Sequence, residues 1–390
     1  MHDSLLTEDQ RMIRDSARAF AQERLQPKAS ARDRDKAFPR DEMAALGALG
    51  FLGMLVPESL GGVGADHVSY VMAVEEISAA DGSIGAMMAL HNGLVSSPLL
   101  HHGSGMQKSR YLRPLAEGKI NGAFGLTEPE AGSNAFAIAT RAPRCEGGYR
   151  LSGTKQFMSN GKSADIAIVF AAVESDDPRR RITAFLVPPS APGYVVLRVE
   201  DKLGLSASET CQVGLDGVFV PDDHVLGAVG GGYALAMGTL ELGRLGIAAQ
   251  SVGLARAAFD LAHAYALERR TFGKPLVEHQ AVGFRLADMR MKVETARCYL
   301  HYAARLRDAG QTCKTQAAMA KLYASEAAEW VASEAIQVHG GYGYLKDFAA
   351  ERIYRDARIC RIYEGTSDIQ RMIIAAELSR PGHPARGPGQ

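Results

Sequence analysis

The sequence predicts an α+β chain, mainly α-helical, with one small β domain in its middle. Three observations predict it. Capped runs with helical periodicity fill the first 120 or so residues. Short β-prone runs separated by turn residues fill 121–232, and long helical runs return over 233–378. A chain of 390 residues has room for two or three domains. The reading is an N-terminal helical domain over 1–120, a middle β barrel or sandwich over 121–232, a helical bundle over 233–380 and a disordered Pro/Gly-rich tail over 381–390.

In the first block Thr7-Glu8-Asp9-Gln10 is a capping-box pattern, with Leu6 as a staple residue. Met12, Ile13, Ala17 and Phe20 follow at helical spacing, and Pro27 is expected to end that run. Further helices fit 40–49, 68–79, 82–100 and 111–117, with a turn-rich loop over 57–62. In the middle block strands fit 149–152, 166–173, 182–187, 194–199 and 211–220. No long helix lies among them, so the pattern is that of an antiparallel barrel or sandwich and not of a βαβ unit. The third block holds one long helix over 233–269, then helices over 279–308, 312–338, 347–357 and 366–378, which should form an antiparallel bundle. Gly238, Gly243, Gly246 and Gly253 lie inside the long helix. Glycine costs helix stability, so this set points to close approach of either a neighbouring helix or a ligand.

Lys plus Arg and Asp plus Glu both total 44, so no global basic field speaks for nucleic acid. The five cysteines (Cys145, Cys211, Cys298, Cys313, Cys360) are scattered, with no CxxC pair. That suits a reducing, cytoplasmic setting and neither a disulfide framework nor a zinc site. No secretory or transit signal is legible, and no apolar run is long enough for membrane insertion. A G-x-G-x-x-G after a strand is missing. The segment Asn160-Gly161-Lys162-Ser163 ends like a phosphate loop, but Gln156 stands where its first Gly should be. No histidine pair has metal-ligand spacing, and no metal is expected.

The most informative segment is Ile362-Tyr363-Glu364-Gly365-Thr366-Ser367-Asp368. A carboxylate set among bulky apolar residues is desolvated, so its proton affinity rises toward that of a general base. Gly365 permits close approach of a substrate, and the helix start at Thr366 and Asp368 offers amides and hydroxyls to a polar cofactor. Taken alone the segment also reads as a surface glutamate before a helix cap; the rest of the chain decides.

Four further stretches accompany it. They are Phe124 to Ser133 (with Leu126-Thr127-Glu128-Pro129 at its centre), Gly153 to Gly161 (with Gln156-Phe157-Met158-Ser159), Arg269-Arg270-Thr271-Phe272-Gly273-Lys274 with His279-Gln280, and Gln337-Val338-His339-Gly340-Gly341. In this order and spacing they resemble the flavin-dependent acyl-CoA dehydrogenases, most of all the short-chain, butyryl-CoA type. The resemblance runs from about Leu5 to Leu378 and implies a C-terminal four-helix bundle.

It implies FAD as cofactor, held by Phe124, Leu126, Thr127, Ser133, Phe157, Ser159, Thr366 and Asp368. Arg269, Thr271, Gln280, Gln337, Gly340 and Gly341 would reach the FAD of a neighbouring subunit, in a homotetramer built as a dimer of dimers. At Phe157 and Ser159 the family usually has Trp and Thr; the aromatic ring and the hydroxyl are kept. Substrate contacts are implied for Ser133, Glu241, Arg244, Gln250 and Gly365.

Glu364 matches the family's base. The implied reaction removes the α-proton to Glu364 and sends the β-hydrogen as hydride to flavin N5, giving a trans-2-enoyl-CoA. The thioester carbonyl would be polarised by the Glu364 N–H and a ribityl hydroxyl, and electrons would leave to electron-transfer flavoprotein. Some members carry the base at the position of Gly243, where glycine cannot serve. Gln250 lies two turns beyond Gly243, either along the acyl tunnel, which it would shorten, or against another helix. Short straight or branched acyl groups, from fatty-acid or amino-acid catabolism, are the expected substrates. The alternatives are an acyl-CoA oxidase, an enoyl-CoA reductase or a desulfinase on the same scaffold, or a non-catalytic flavin- or CoA-binding scaffold.

Overall fold

The computed structural model describes residues 3–177 and 180–379; the tail expected at 381–390 lies outside the described residues. The first block contains α1 (Glu8–Phe20), α2 (Ala29–Asp35), α3 (Arg40–Ala48), α4 (His67–Ala80), α5 (Gly82–Leu90), α6 (Ser97–His102), α7 (Gly105–Gln107) and α8 (Arg113–Ala116). The capping box opens α1 as expected: the Gln10 N–H donates to Thr7 Oγ1 at 3.2 Å and the Thr7 N–H to Gln10 Oε1 at 3.1 Å. Pro27 does not end the helical path. The chain widens into a π turn at Ala21–Leu25 and tightens at Gln26–Lys28 before continuing as α2. The altered turns accept a residue that lacks an N–H and whose ring would clash in a regular α turn. A second π segment, His91–Ser96, joins α5 to α6. Such insertions concentrate at functional sites, and this one borders the site described below.

The middle block holds β1 (Gly122–Gly125), β2 (Arg144–Cys145), β3 (Gly148–Ser159), β4 (Ile166–Ala172), β5 (Ile182–Val187), β6 (Tyr194–Val199), β7 (Thr210–Pro221) and β8 (Val225–Leu226). They form two four-stranded sheets, ordered β1-β4-β5-β8 and β2-β3-β7-β6. Val169 and Phe185 of the first sheet share one buried cluster with Leu151, Met158 and Val213 of the second, which makes this a sandwich. One pair departs from the antiparallel expectation: β1 lies parallel to β4. The excursion of the chain through β2 and β3 supplies the long crossover a parallel pair requires.

The third block contains α9 (Gly232–Glu268), a small hairpin of β9 (Arg270–Thr271) and β10 (Lys274–Pro275), α10 (Gln280–Asp308), α11 (Lys314–His339), α12 (Ala349–Arg358) and α13 (Ser367–Leu378). Helices α9, α10, α11 and α13 form the bundle, and α9 also packs along α4 and α5 of the first block. A Cβ at Gly253 would strike the Glu75 carbonyl of α4, so this glycine serves helix–helix approach. Beside it Arg297 pairs with Glu75 at 2.8 Å, and Glu76 takes Arg256 at 2.7 Å and Arg18 at 2.8 Å. This network, centred on the buried Glu75 and Glu76, ties α1, α4, α9 and α10 together. Among the described residues no helix is long and apolar enough to cross a membrane.

Candidate active site

The chain enters the site through a tight turn ahead of α13. Glu364 has φ +54° and Gly365 φ +88°, two consecutive left-handed residues. A glutamate there is strained, so the surroundings must hold it. Lys321 Nζ donates to the Gly365 carbonyl at 2.7 Å. Gln370 Nε2 donates to the same oxygen at 2.8 Å and to the Glu364 carbonyl at 3.2 Å. Lys321 and Gln370 are both fully buried. The Thr366 hydroxyl accepts the Ile369 N–H at 3.3 Å and so starts α13.

This turn throws the Glu364 side chain back onto α9. Its Oε2 fills the space that a Cβ at Gly243 would need. Glu364 as a residue is partly accessible, but Oε2 is buried and has no hydrogen-bond partner among the described residues. Desolvation is the largest influence and pushes its pKa up to about 7; the positive charges of Arg244 and Lys321 pull the other way. Arg244 is itself buried, with Nε unpartnered. Burial lowers Lys321 to about 8. The Glu364 N–H is free of any partner among the described residues. The result is a proton acceptor near neutrality, an amide donor beside it and two buried cations behind it.

The structure brings Glu364, Gly365, Arg244 and Gln250 into this one neighbourhood. Gln250 is fully buried; its Oε1 accepts the Tyr363 hydroxyl and its Nε2 donates to the Gly82 carbonyl at 3.0 Å. Glu241, expected at the substrate, has its carboxylate engaged by Arg307 at 3.0 Å and by the Cys313 thiol at 3.4 Å. Asp368 is exposed and faces Arg371 at 3.4 Å.

A second group belongs to the middle domain. The Phe124 ring, partly exposed, packs on Phe170 with ring centroids 5.1 Å apart, and Leu126 is buried. Thr127 is partly exposed and Ser133 exposed, in a turn where Gly132 has open space around it. The β3–β7 register shifts between Lys155 and Met158, so Gln156 and Phe157 bulge out. Phe157 has φ +55° and its side chain stands 64% exposed, a strained and uncovered aromatic suited to a flat ring system. Ser159 is partly exposed on the same strand.

A third group forms the wall of an open cavity of about 400 Å³, which includes Arg269, Thr271, Gly340 and Gly341 with Tyr265 and Tyr342. The Arg269 guanidinium lies 5.9 Å from the Tyr342 ring centroid and has no carboxylate partner among the described residues. Gly340 adopts φ +61°, and a Cβ at either glycine would meet nothing, so the cavity floor here is bare backbone. Gln280 and Gln337 are exposed and do not line this cavity.

Sequence reading passed over several residues that build these groups. Lys321 is the one charge between Lys314 and Glu326, a cation inside an Ala-rich face, which is the signal that could have found it. Gln370 carried no such mark, and Tyr363 reads in the sequence only as apolar bulk beside Glu364. The Lys155–Glu128 pair, at 2.7 Å and almost fully buried, pins the loop before Pro129 to β3. Glu128 also accepts the Ala139 and Thr140 N–H groups. Lys155 Nζ donates further to the Leu126 carbonyl at 3.3 Å.

Three family models cover the chain: the acyl-CoA dehydrogenase N-terminal domain over 7–119, the middle domain over 123–218 and the C-terminal domain over 230–379. The human short-chain specific acyl-CoA dehydrogenase of mitochondria is 44% identical over 376 residues, covering 96% of this chain and 91% of that protein. Butyryl-CoA dehydrogenase from Megasphaera elsdenii superposes with a TM-score of 0.94 at 38% identity, covering 96% and 99% of the two chains. A chain from a structure of the electron transferring flavoprotein of Acidaminococcus fermentans superposes with a TM-score of 0.95 at 41% identity, covering 96% and 99%. The buried carboxylate on a glycine-bared helix, the uncovered ring at Phe157 and the match along all three domains agree: this chain belongs to the acyl-CoA dehydrogenase family, FAD-dependent oxidoreductases.

Proposed function

We propose that this protein desaturates short-chain acyl-CoA thioesters to trans-2-enoyl-CoA, with Glu364 as the base. The observation that carries the assignment is the unpartnered, buried Glu364 Oε2 seated on Gly243. A base must be ionised yet reactive near neutral pH, and a pKa of about 7 meets both demands. The Glu364 N–H, free among the described residues, is a donor for the thioester carbonyl, whose polarisation acidifies the α-carbon. Arg244 and Lys321 stabilise the carboxylate before transfer without pairing with it directly, and Lys321 and Gln370 hold the strained turn that aims it.

The residues present fit FAD. The exposed, strained Phe157, the open turn at Gly132 and Ser133, and the hydroxyls of Thr127 and Ser159 suit a ring and its polar edge. Arg269 and Thr271, above the bare backbone of Gly340 and Gly341, suit a pyrophosphate and the adenosine beyond it. Bound FAD supplies the acceptor for the β-hydride. We assign electron-transfer flavoprotein as electron acceptor, supported by the likeness to the Acidaminococcus chain. We further assign a homotetramer, in which the Arg269 cavity serves a neighbouring subunit's cofactor; the openness of that cavity and Phe272, 97% exposed beside it, support this. The free cysteines support a cytoplasmic setting.

An anaerobic titration with butyryl-CoA tests the assignment. The wild type should bleach its flavin, while Glu364→Gln should bind the thioester and stay oxidised. Normal turnover by Glu364→Gln would remove the base assignment.

A further inference from the structure

Gly243 on α9 seats the Glu364 carboxylate, and two further glycines lie near it: Gly246 on the same helix and Gly93 in the π segment between α5 and α6. Gly93 faces the α9 backbone, its Cβ position lying 3.6 Å from Gly243 Cα. Leu94 Cδ2 lies 3.0 Å from the Cβ position of Gly243, beside the carboxylate. The next group along α9 is the hydroxyl of Tyr70, which reaches in from α4. It lies 2.7 Å from the Cβ position of Gly246 and 3.8 Å from that of Gly93. Gly246 lies three helical steps beyond Gly243, about 4.5 Å along the axis.

Tyr70 has no exposure to solvent. A buried tyrosine hydroxyl ordinarily finds a good partner. Among the described residues this one has a single long bond, to the Ala89 carbonyl at 3.4 Å. Burial and the Glu364 charge both raise its pKa, so it stays a neutral hydroxyl. Its tip therefore sits against both Gly246 and Gly93 and is not secured by strong bonding elsewhere. Gln250 lies one further turn along α9, with both amide atoms already engaged by Tyr363 and Gly82. An acyl chain running from the base along α9 meets Tyr70 first.

We propose that Tyr70 sets the length of the acyl chain this protein accepts, its hydroxyl closing the pocket one turn of α9 beyond Glu364. The proposal rests on the desaturase assignment for the identity of the ligand, and Gln250 is then a brace for Tyr363 and not the pocket's end.

The test compares FAD-loaded wild type, Tyr70→Phe, Tyr70→Leu and Gln250→Ala with butyryl-, hexanoyl- and octanoyl-CoA. One methylene in an apolar pocket changes selectivity by roughly 10- to 200-fold. Tyr70→Phe should raise the hexanoyl-to-butyryl ratio of kcat/KM about tenfold, and Tyr70→Leu the octanoyl-to-butyryl ratio by about 100-fold. Gln250→Ala should lower kcat for all lengths alike. The same series run as equilibrium binding of 2-enoyl-CoA thioesters needs no turnover. A wild type that oxidises no acyl-CoA would therefore defeat the desaturase assignment while the binding ratios still judge Tyr70. Length ratios unmoved in both Tyr70 variants, or moved by Gln250→Ala instead, would overturn the proposal.

Discussion

The carboxylate of Glu364 stands where a side chain on Gly243 would have to be: its Oε2 fills the Cβ position of that glycine. Two residues 121 positions apart in sequence thus share one volume, and the carboxylate can occupy it because α9 carries no side chain there. Gly243→Ala should push the carboxylate off its seat while leaving α9 intact, since alanine favours a helix. A displacement of the order of 1 Å costs about 100-fold in rate. The expected outcome is a kcat lower by about that factor with acyl-CoA affinity within a few-fold, read by stopped-flow flavin reduction. Unchanged reduction kinetics would mean that the carboxylate acts from another position.

The raised pKa of Glu364 has consequences for activity and for stability, with opposite signs. If Glu364 is the base, as proposed, activity needs its ionised form, and kcat/KM should fall about tenfold per pH unit below about pH 7. Lys321→Met removes a cation that lowers this pKa, so the acid limb should move to higher pH. A limb that stays in place would show that Lys321 acts on the turn alone. For stability, a carboxylate whose folded pKa lies above its unfolded value binds more protons in the native state. Ionised Glu364 therefore costs stability progressively from the ordinary carboxylate range up to about pH 7. Glu364→Gln should raise the melting temperature at pH 8 and not at pH 4.

The Lys155–Glu128 pair braces the loop proposed to hold the flavin. Both side chains are almost fully out of water, at 0% and 5% exposure. Removing one partner of such a pair costs about 3–5 kcal/mol, because the other charge stays buried. Lys155→Met should lower the urea midpoint and loosen FAD, and adding Glu128→Gln should restore part of the loss. A double variant as unstable as the sum of the single ones would refute coupling across the pair.

Phe157 should behave in the opposite way. Its left-handed backbone and exposed ring contribute little to the fold by themselves. Phe157→Gly should change apoprotein stability by less than about 1 kcal/mol. It should weaken FAD retention severalfold, the loss of one aromatic stack. Equilibrium dialysis against FAD, set beside apoprotein melting, separates the two effects.

The sequence alone fixes the order helix–sheet–helix, the capping box at Thr7 and the choice of Glu364 as the candidate base. Each rests on local information: periodicity, turn residues and a motif that stays contiguous around Glu364. The strained Glu364–Gly365 turn depends on Lys321 and Gln370, residues that local patterns cannot link to it. Gly243, Gly246 and Gly253 signalled close approach but not what approaches. Folding assigned the first to Glu364, the second to Tyr70 and the third to the backbone of α4. Gly238, the fourth in the pattern, faces open space. The parallel β1–β4 pair and the continuation past Pro27 were likewise decided by tertiary packing, which outweighs local preference when a long crossover or a widened turn can absorb the exception.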